Sequence, residues 1–299
     1  MTDLSVTLAG IRLKNPVIAA SGTFGYGCTA FWGVDIPGGI CTKALTLKPR
    51  AGNGGIRLWE TPAGLLNSIG LQNPGIEAFL TDELPRLRSL EAVIIANLSG
   101  GSIEEYERGA ALLNNADIDI VELNISCPNV KEGGMTFGLE PEAAAPVVRA
   151  ARKALSAKPL VVKLSPNAPD IAAIARACID KGADALSLVN TFKGMAIDVK
   201  KRRVVFNNIF AGLSGPAIKP LALRMVWELC RQFPTVPIVG MGGIANTEDA
   251  LEFLMAGAAA VEVGSASFAN PYAIPDIVQG LRGYMEREGL SGIADLALG

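Results

Sequence analysis

Eight short, almost uninterrupted apolar runs recur along the 299-residue chain, at 16–21, 40–46, 93–98, 120–125, 160–165, 185–190, 237–241 and 260–263. No other feature constrains the fold so tightly. A strand with one wet face alternates apolar and polar residues. Runs without alternation belong to parallel sheets buried on both faces. The stretches between them are longer and amphipathic, with recognisable starts. Ser102-Ile103-Glu104-Glu105 fits a capping box, Asn246 can cap a helix with Glu248 and Asp249 in its first turn, and 217–232 reads as a long helix with Pro220 near its start. Eight strands with mostly helical connections over this length predict a (β/α)8 barrel, with an open doubly wound sheet as the rival.

Two further segments fit the barrel. Residues 5–8 and 11–13 alternate across Ala9-Gly10 and read as a hairpin closing the barrel bottom. Residues 194–208 read as a second hairpin inserted after the sixth strand. No repeat, low-complexity tract or Gly/Ser linker interrupts the chain, so 1–299 is expected to be a single domain. A chain of this length buries about 75% of its unfolded surface and needs no covalent staples.

Composition removes several function classes. A net charge of −2 and a pI near 5.4 argue against a nucleic-acid surface. The nearest basic block, Lys200-Lys201-Arg202-Arg203, reads as a solvated loop or hairpin. No apolar run reaches the ~20 residues of a membrane span, and MTDLSVTLAG lacks the regions of a signal peptide, so a cytoplasmic protein is expected. The five cysteines, at 28, 41, 127, 178 and 230, are dispersed, which fits reduced thiols and predicts no metal or iron–sulfur site in this chain. Histidine is absent, which excludes Ser-His-Asp and Cys-His catalysis and a histidine base.

Chemistry in such a barrel belongs at the C-terminal ends of the strands. Those ends carry Ser21, Lys43, Asn97, Asn124 with Cys127, Lys163, Asn190 with Thr191, Gly242-Gly243 and Gly264-Ser265. A ring of polar residues on an apolar scaffold is poorly explained by packing. Each member also has a plain structural reading. The glycines serve turns or expose backbone N–H groups to a phosphate. Lys43 and Lys163, inside apolar runs, form ordinary ion pairs or meet an anion or electron-rich cofactor. Cys127 is a buried thiol or a residue facing a ligand beside Asn124 and Asn129, in a loop with Gly133 and Gly134.

The stretches NPVIAASGTFGYG (15–27), TKALTLKPR (42–50), NSIGLQNPG (67–75), NISCPN (124–129), VKLSP (162–166), VNTFKG (189–194), GLSGPAIKP (212–220) and MGGI (241–244) resemble the dihydroorotate dehydrogenases. Cysteine at 127 resembles class 1, whose membrane-associated class 2 relatives carry serine there. NSIGLQNPG and ASGTFGYG are most similar to the B-type catalytic subunit, which works with NAD through a partner chain.

The resemblance implies an FMN-containing barrel that oxidises dihydroorotate to orotate in pyrimidine synthesis. It implies Cys127 as the base, and Lys43, Asn67, Ser68, Ile69, Gly70, Leu71, Asn124, Asn190 and Thr191 around the substrate. It implies FMN contacts from Ser21, Lys43, Ala44, Asn97, Asn124, Lys163, Val189, Gly215, Gly242, Gly243, Gly264 and Ser265. The last stretch reads GSASF where many relatives have threonine after the glycine; Ser265 keeps the N–H and a hydroxyl. A homodimer core joined to subunits carrying FAD and an iron–sulfur cluster, a heterotetramer, follows from the same resemblance.

The implied chemistry is consistent with the residues. Hydride leaving C6 needs an electron sink, which FMN provides. The C5 proton needs a positioned base, and a free thiol titrates near about 8.5. Lys163 is expected to stabilise negative charge on reduced flavin, and the loop around 128–139 to close over substrate. Competing readings are an A-type fumarate-reducing enzyme, a pyrimidine-base dehydrogenase, a Schiff-base aldolase using Lys163, and a flavin-binding barrel without catalysis.

Overall fold

The computed structural model of the chain describes residues 2–26, 37–126, 137–296 and 298. Eight parallel strands close a barrel: β1 Val17–Ala19, β2 Gly39–Cys41, β3 Val93–Leu98, β4 Ile120–Asn124, β5 Leu160–Lys163, β6 Ala185–Leu188, β7 Ile238–Met241 and β8 Ala260–Val263. Neighbours in the sheet are neighbours in the chain, and β8 pairs with β1 through Val261 and Val17. Closure removes both edges, so the doubly wound alternative is excluded and the (β/α)8 expectation holds. Each apolar run contains one barrel strand, except that β2 begins at Gly39, one residue before its run.

Outer and inner faces bury different things. Outward residues such as Val17, Ile94, Val121, Val162, Leu186, Ile238 and Val261 pack with helix residues including Leu113, Val147, Ile174, Val226, Leu254 and Leu281. Those side chains come from the helices Ile103–Asn114, Pro141–Ala154, Ile171–Asp180, Lys219–Gln232, Thr247–Met255 and Ala273–Glu288. Inward residues Ile18, Cys41, Ile95, Ile120, Val161, Ala185, Val239 and Ala260 form a second apolar layer. Both faces of each strand are therefore dry at this level, which is why the sequence shows no alternation.

The N-terminal hairpin is present. Val6–Leu8 pairs with Ile11–Leu13 across Ala9-Gly10. Both turn residues have positive φ, 47° and 84°, the geometry whose twist suits a two-residue hairpin. Leu8 and Leu13 are fully buried against the inner layer and plug the N-terminal end of the barrel.

The insertion after β6 is larger than the expected hairpin at 194–208. Phe192–Met195 pairs antiparallel with Phe210–Ser214, which pairs with Gly64–Asn67, itself paired with Leu58–Thr61. The four strands form one sheet beside the barrel mouth, with an exposed turn at 199–202 beyond the short Ile197–Asp198/Arg203–Val204 ladder. Half of that sheet comes from 58–67, which the sequence pattern left unassigned. Its pairing spans some 145 residues, from Asn67 to Gly212, and no local periodicity reports it.

The helix starts follow the expected residues. Ser102 Oγ accepts from the Glu105 N–H at 3.3 Å, while Glu105 Oε2 accepts from Gly101 N–H at 2.6 Å, one residue earlier than a standard box. Asn246 Oδ1 accepts from Asp249 N–H at 3.0 Å. The long helix runs Lys219–Gln232 with Pro220 in its first turn.

Candidate active site

The period of two along each strand carries the inner face upward from the apolar layer to a charged one. Two residues beyond Ile120 stands Glu122; beyond Val161, Lys163; beyond Ala185, Ser187; beyond Ile95, Asn97; beyond Ala260, Glu262. All five side chains are buried. Lys163 Nζ lies 3.3 Å from Glu122 Oε1 and 3.2 Å from Glu262 Oε2. Glu122 also accepts from Asn97 Nδ2 at 2.5 Å, Ser187 Oγ at 2.7 Å and Cys41 Sγ at 3.1 Å. Among the described residues, Cys41, Glu122 and Glu262 are the one close group of metal-ligating types, but the cation between the carboxylates is the lysine ammonium.

Burial and pairing set the charges. Burial raises the Glu262 carboxyl to about 8, and neighbouring Glu122 pushes the same way. Burial acts upward on Glu122 as well, but the Lys163 ammonium and the hydrogen bonds from Ser187 and Cys41 outweigh it and hold Glu122 low. Burial opposes the charge on Lys163; Glu122 and then Glu262 overcome it and keep the amine protonated. The Cys41 thiol is pushed well up by burial and by Glu122, so it is a donor here.

Above this layer opens a cavity of about 740 Å³, lined by Lys163 and Glu262 at its base. Lys43 reaches it through a bulge. Thr42 N–H donates to Ile95 O and Leu45 N–H to Asn97 O, so three steps along one strand face two along the other. The extra residue throws Lys43 and Ala44 toward the mouth. The expected strand at 40–46 thus ends at Cys41, and Lys43 lies beyond it rather than within it.

One wall is a chain of short polar side chains. Asn124 Oδ1 accepts from Ser126 N–H and Ser126 Oγ, and Ser126 Oγ accepts from Asn190 Nδ2 at 2.5 Å. Asn167 continues it, donating to Thr191 O and Ser165 Oγ and accepting from Lys193 N–H. Tyr106, from the helix Ile103–Asn114, donates to Asn124 O at 2.7 Å and fixes the end of β4.

The loops after β7 and β8, next around the barrel from β6, carry the two glycine turns. Gly242 and Gly243 have φ of 121° and 79°; a Cβ at Gly242 would lie 2.8 Å from Ala222 Cβ, and one at Gly243 2.8 Å from Lys219 N. Packing against the helix Lys219–Gln232 therefore requires both glycines whatever they bind. Lys219 Nζ ties this turn down, meeting Asp249 at 2.7 Å and Glu252 at 3.0 Å, while Asp249 Oδ2 accepts from Ala245 N–H.

Of the residues expected at a site, the cavity is lined by Ser21, Lys43, Ala44, Asn67, Ile69, Gly70, Leu71, Asn124, Lys163, Val189, Asn190, Thr191, Gly242, Gly243, Gly264 and Ser265. Three others stand behind the lining. Asn97 supports Glu122, Ser68 Oγ accepts from Asn53 at 3.0 Å, and Gly215 packs where a Cβ would meet Gly64 at 2.6 Å. Cys127 and most of the 128–139 loop lie outside the described residues. Glu122, Glu262, Ser126 and Asn167 were missed. The signal for the glutamates was available: a carboxylate inside IVELN and AVEV is as anomalous as the lysine in LVVK.

Residues 3–285 match the family model described as dihydroorotate dehydrogenase. The chain is 54% identical to the dihydroorotate dehydrogenase B (NAD(+)) catalytic subunit of Petrotoga mobilis, over 99% of both chains. It is 52% identical to the protein of the same name from Geotalea daltonii, over 98% of this chain and 97% of that one. The same-named protein of Caldicellulosiruptor bescii is 49% identical over 98% of each. A barrel open at the strand ends and full-length similarity to three such proteins lead to one conclusion: the chain belongs to the dihydroorotate dehydrogenase family.

Proposed function

We propose that the chain is the catalytic subunit of an NAD-linked dihydroorotate dehydrogenase that oxidises dihydroorotate to orotate with FMN. The observation that carries this is the cavity itself. Family membership along the whole chain coincides with a barrel mouth into which two lysines and a row of amide side chains converge.

The residues fit the cofactor. The Gly242-Gly243 and Gly264-Ser265 turns line the cavity, and backbone N–H groups at such turns suit a phosphate. Lys163 and Lys43 supply positive charge, and Ser21, Ala44, Asn124 and Val189 complete the surface that would hold FMN; Asn97 and Gly215 act from behind it. FMN supplies the two-electron acceptor for the hydride from substrate C6. Lys43, Asn124, Asn190 and Thr191, with Asn67, Ile69, Gly70 and Leu71, hold a planar anionic pyrimidine by charge and by amides that both donate and accept. Ser68 keeps that loop in place through Asn53. Cys127, three residues past the end of β4, takes the C5 proton.

The cation at Lys163 also bears on the imine alternative. A Schiff-base lysine must be unprotonated to attack, and Glu122 with Glu262 holds Lys163 in the charged form. Dihydroorotate-dependent reduction of a dye by the FMN-loaded chain tests the function. Dye reduction that needs both FMN and dihydroorotate is expected; a borohydride-trapped adduct on Lys163 without flavin turnover would contradict it.

A further inference from the structure

Glu122 and Glu262 are placed in a way the hydride and proton steps above do not use. Glu122 accepts four donors, from Cys41, Asn97, Lys163 and Ser187, which is the environment of an ionised carboxylate. Among the described residues Glu262 accepts from Lys163, and its carboxylate oxygen lies within 4.8 Å of that of Glu122. Two buried carboxylates this close, with a single ammonium between them, do not both ionise readily, so Glu262, which has fewer donors than Glu122, carries a proton. The layer then contains one ammonium, one carboxylate and one neutral acid, with no net charge. Glu262 also lines the cavity, so its proton can exchange with what the cavity holds.

We propose that Glu262, backed by Glu122 and Lys163, is a proton store and positioning residue for the flavin site: it holds its proton while the cavity is uncharged, and where alkaline solution has ionised it, its carboxylate takes a proton from solvent when an electron pair enters the cavity. This rests on the flavin reading above. The step moves no electrons on the carboxylate; an O–H bond forms, and the added negative charge in the cavity is offset by the proton. The groups facing Glu262 are few. Cys41, Glu122 and Lys163 are titratable, and Lys43 stands higher in the cavity. Asn97, Ser187 and Met241 from β3, β6 and β7, and Ile18 and Ala20 on either side of the end of β1, are not titratable. The acidic residues of the helix Thr247–Met255 lie outside the barrel, with Asp249 and Glu252 committed to Lys219. Burial, with Glu122 beside it, places the titration near pH 8.

Infrared spectra of the purified full chain across pH decide the first half without any substitution. A protonated-carboxyl stretch persisting at pH 7, long after ordinary carboxylates have ionised, and vanishing near pH 8 is expected. It should be absent in Glu262→Gln and kept in Glu262→Asp. A wild-type spectrum with no such band at pH 7 overturns the proposal. The second half is read from the midpoint potential of bound FMN against pH. Wild type and Glu262→Asp should show a steeper proton-linked slope above about pH 8 than Glu262→Gln; equal slopes overturn the coupling. A purely packing role moves neither readout. A chain that takes up no FMN refutes the flavin reading instead, and the infrared band still decides whether Glu262 holds the proton.

Discussion

At the scale of single residues, the site divides into groups that touch the cavity and groups that set their charge. Cys127, outside the described residues, is assigned to the first group by the proposed function. Cys127→Ala is expected to retain FMN and lose about 10²–10⁴-fold in dihydroorotate oxidation, the usual contribution of a positioned base. Stopped-flow flavin reduction at pH 8 checks it, and a rate within about threefold of wild type would remove Cys127 from that role. Lys163→Ala should lower flavin content and slow flavin reduction together, because it also leaves Glu122 and Glu262 without their cation; normal values of both would take Lys163 out of the site. Glu262 has a consequence for stability as well. Its folded-state titration near 8 lies above the ordinary value of 4.5, so between those limits the folded chain binds more protons than the unfolded one. Stability from this group therefore falls as pH rises from about 4.5 to 8. Glu122, held low, acts only below that window, and Lys163, held high, only above it. Denaturant midpoints of Glu262→Gln against wild type should thus improve steadily across the window, and a constant difference would contradict the assignment.

At the scale of elements, the barrel positions its chemistry through strand ends, a bulge and two turns. Tyr106 shows how a helix enforces this: its hydroxyl donates to Asn124 O, at the last residue of β4. Tyr106→Phe leaves that buried carbonyl short of a partner and is expected to cost about 1–3 kcal/mol in chemical denaturation, with weaker substrate binding. Gly243→Ala places a Cβ 2.8 Å from Lys219 N and 2.9 Å from Gly215 O at a φ of 79°. Retention of FMN on gel filtration should drop, with about 1–3 kcal/mol of strain; full retention would show that the turn does not serve the cofactor. The eight strands were legible because burial on both faces writes itself into consecutive residues. The same continuity hid Glu122 and Glu262, each a single charge inside a run that reads as apolar. Lys43 sits at the mouth rather than in β2 because a one-residue mismatch with β3 cannot be seen in β2 alone. The sheet joining 58–67 to 210–214 was invisible for a related reason. Its strands are half exposed, and their partners are distant in the chain.

At the scale of the whole molecule, electrons that enter the cavity must leave it. The sequence holds no clustered cysteines and no glycine-rich dinucleotide loop after a strand. Among the described residues no helix is long and apolar enough to cross a membrane, so the exit is not through a helical span of that part of the chain. An NAD-linked role therefore calls for a second polypeptide; the proposed function gives it FAD and an iron–sulfur cluster and seats it on a homodimer of this chain. The purified chain alone should reduce dyes with dihydroorotate and reduce NAD negligibly, and adding that partner should restore NAD reduction. Strong fumarate reduction by the single chain would assign it to the A-type instead. Under the proposed function this cavity passes electrons from dihydroorotate to a bound flavin. Anaerobic titration of the FMN-loaded chain with dihydroorotate, followed by the flavin absorbance and by orotate release, tests it most directly. The expected result is bleaching in step with added substrate and an equal yield of orotate; a chain that holds FMN firmly and keeps its full flavin absorbance under excess dihydroorotate would contradict it.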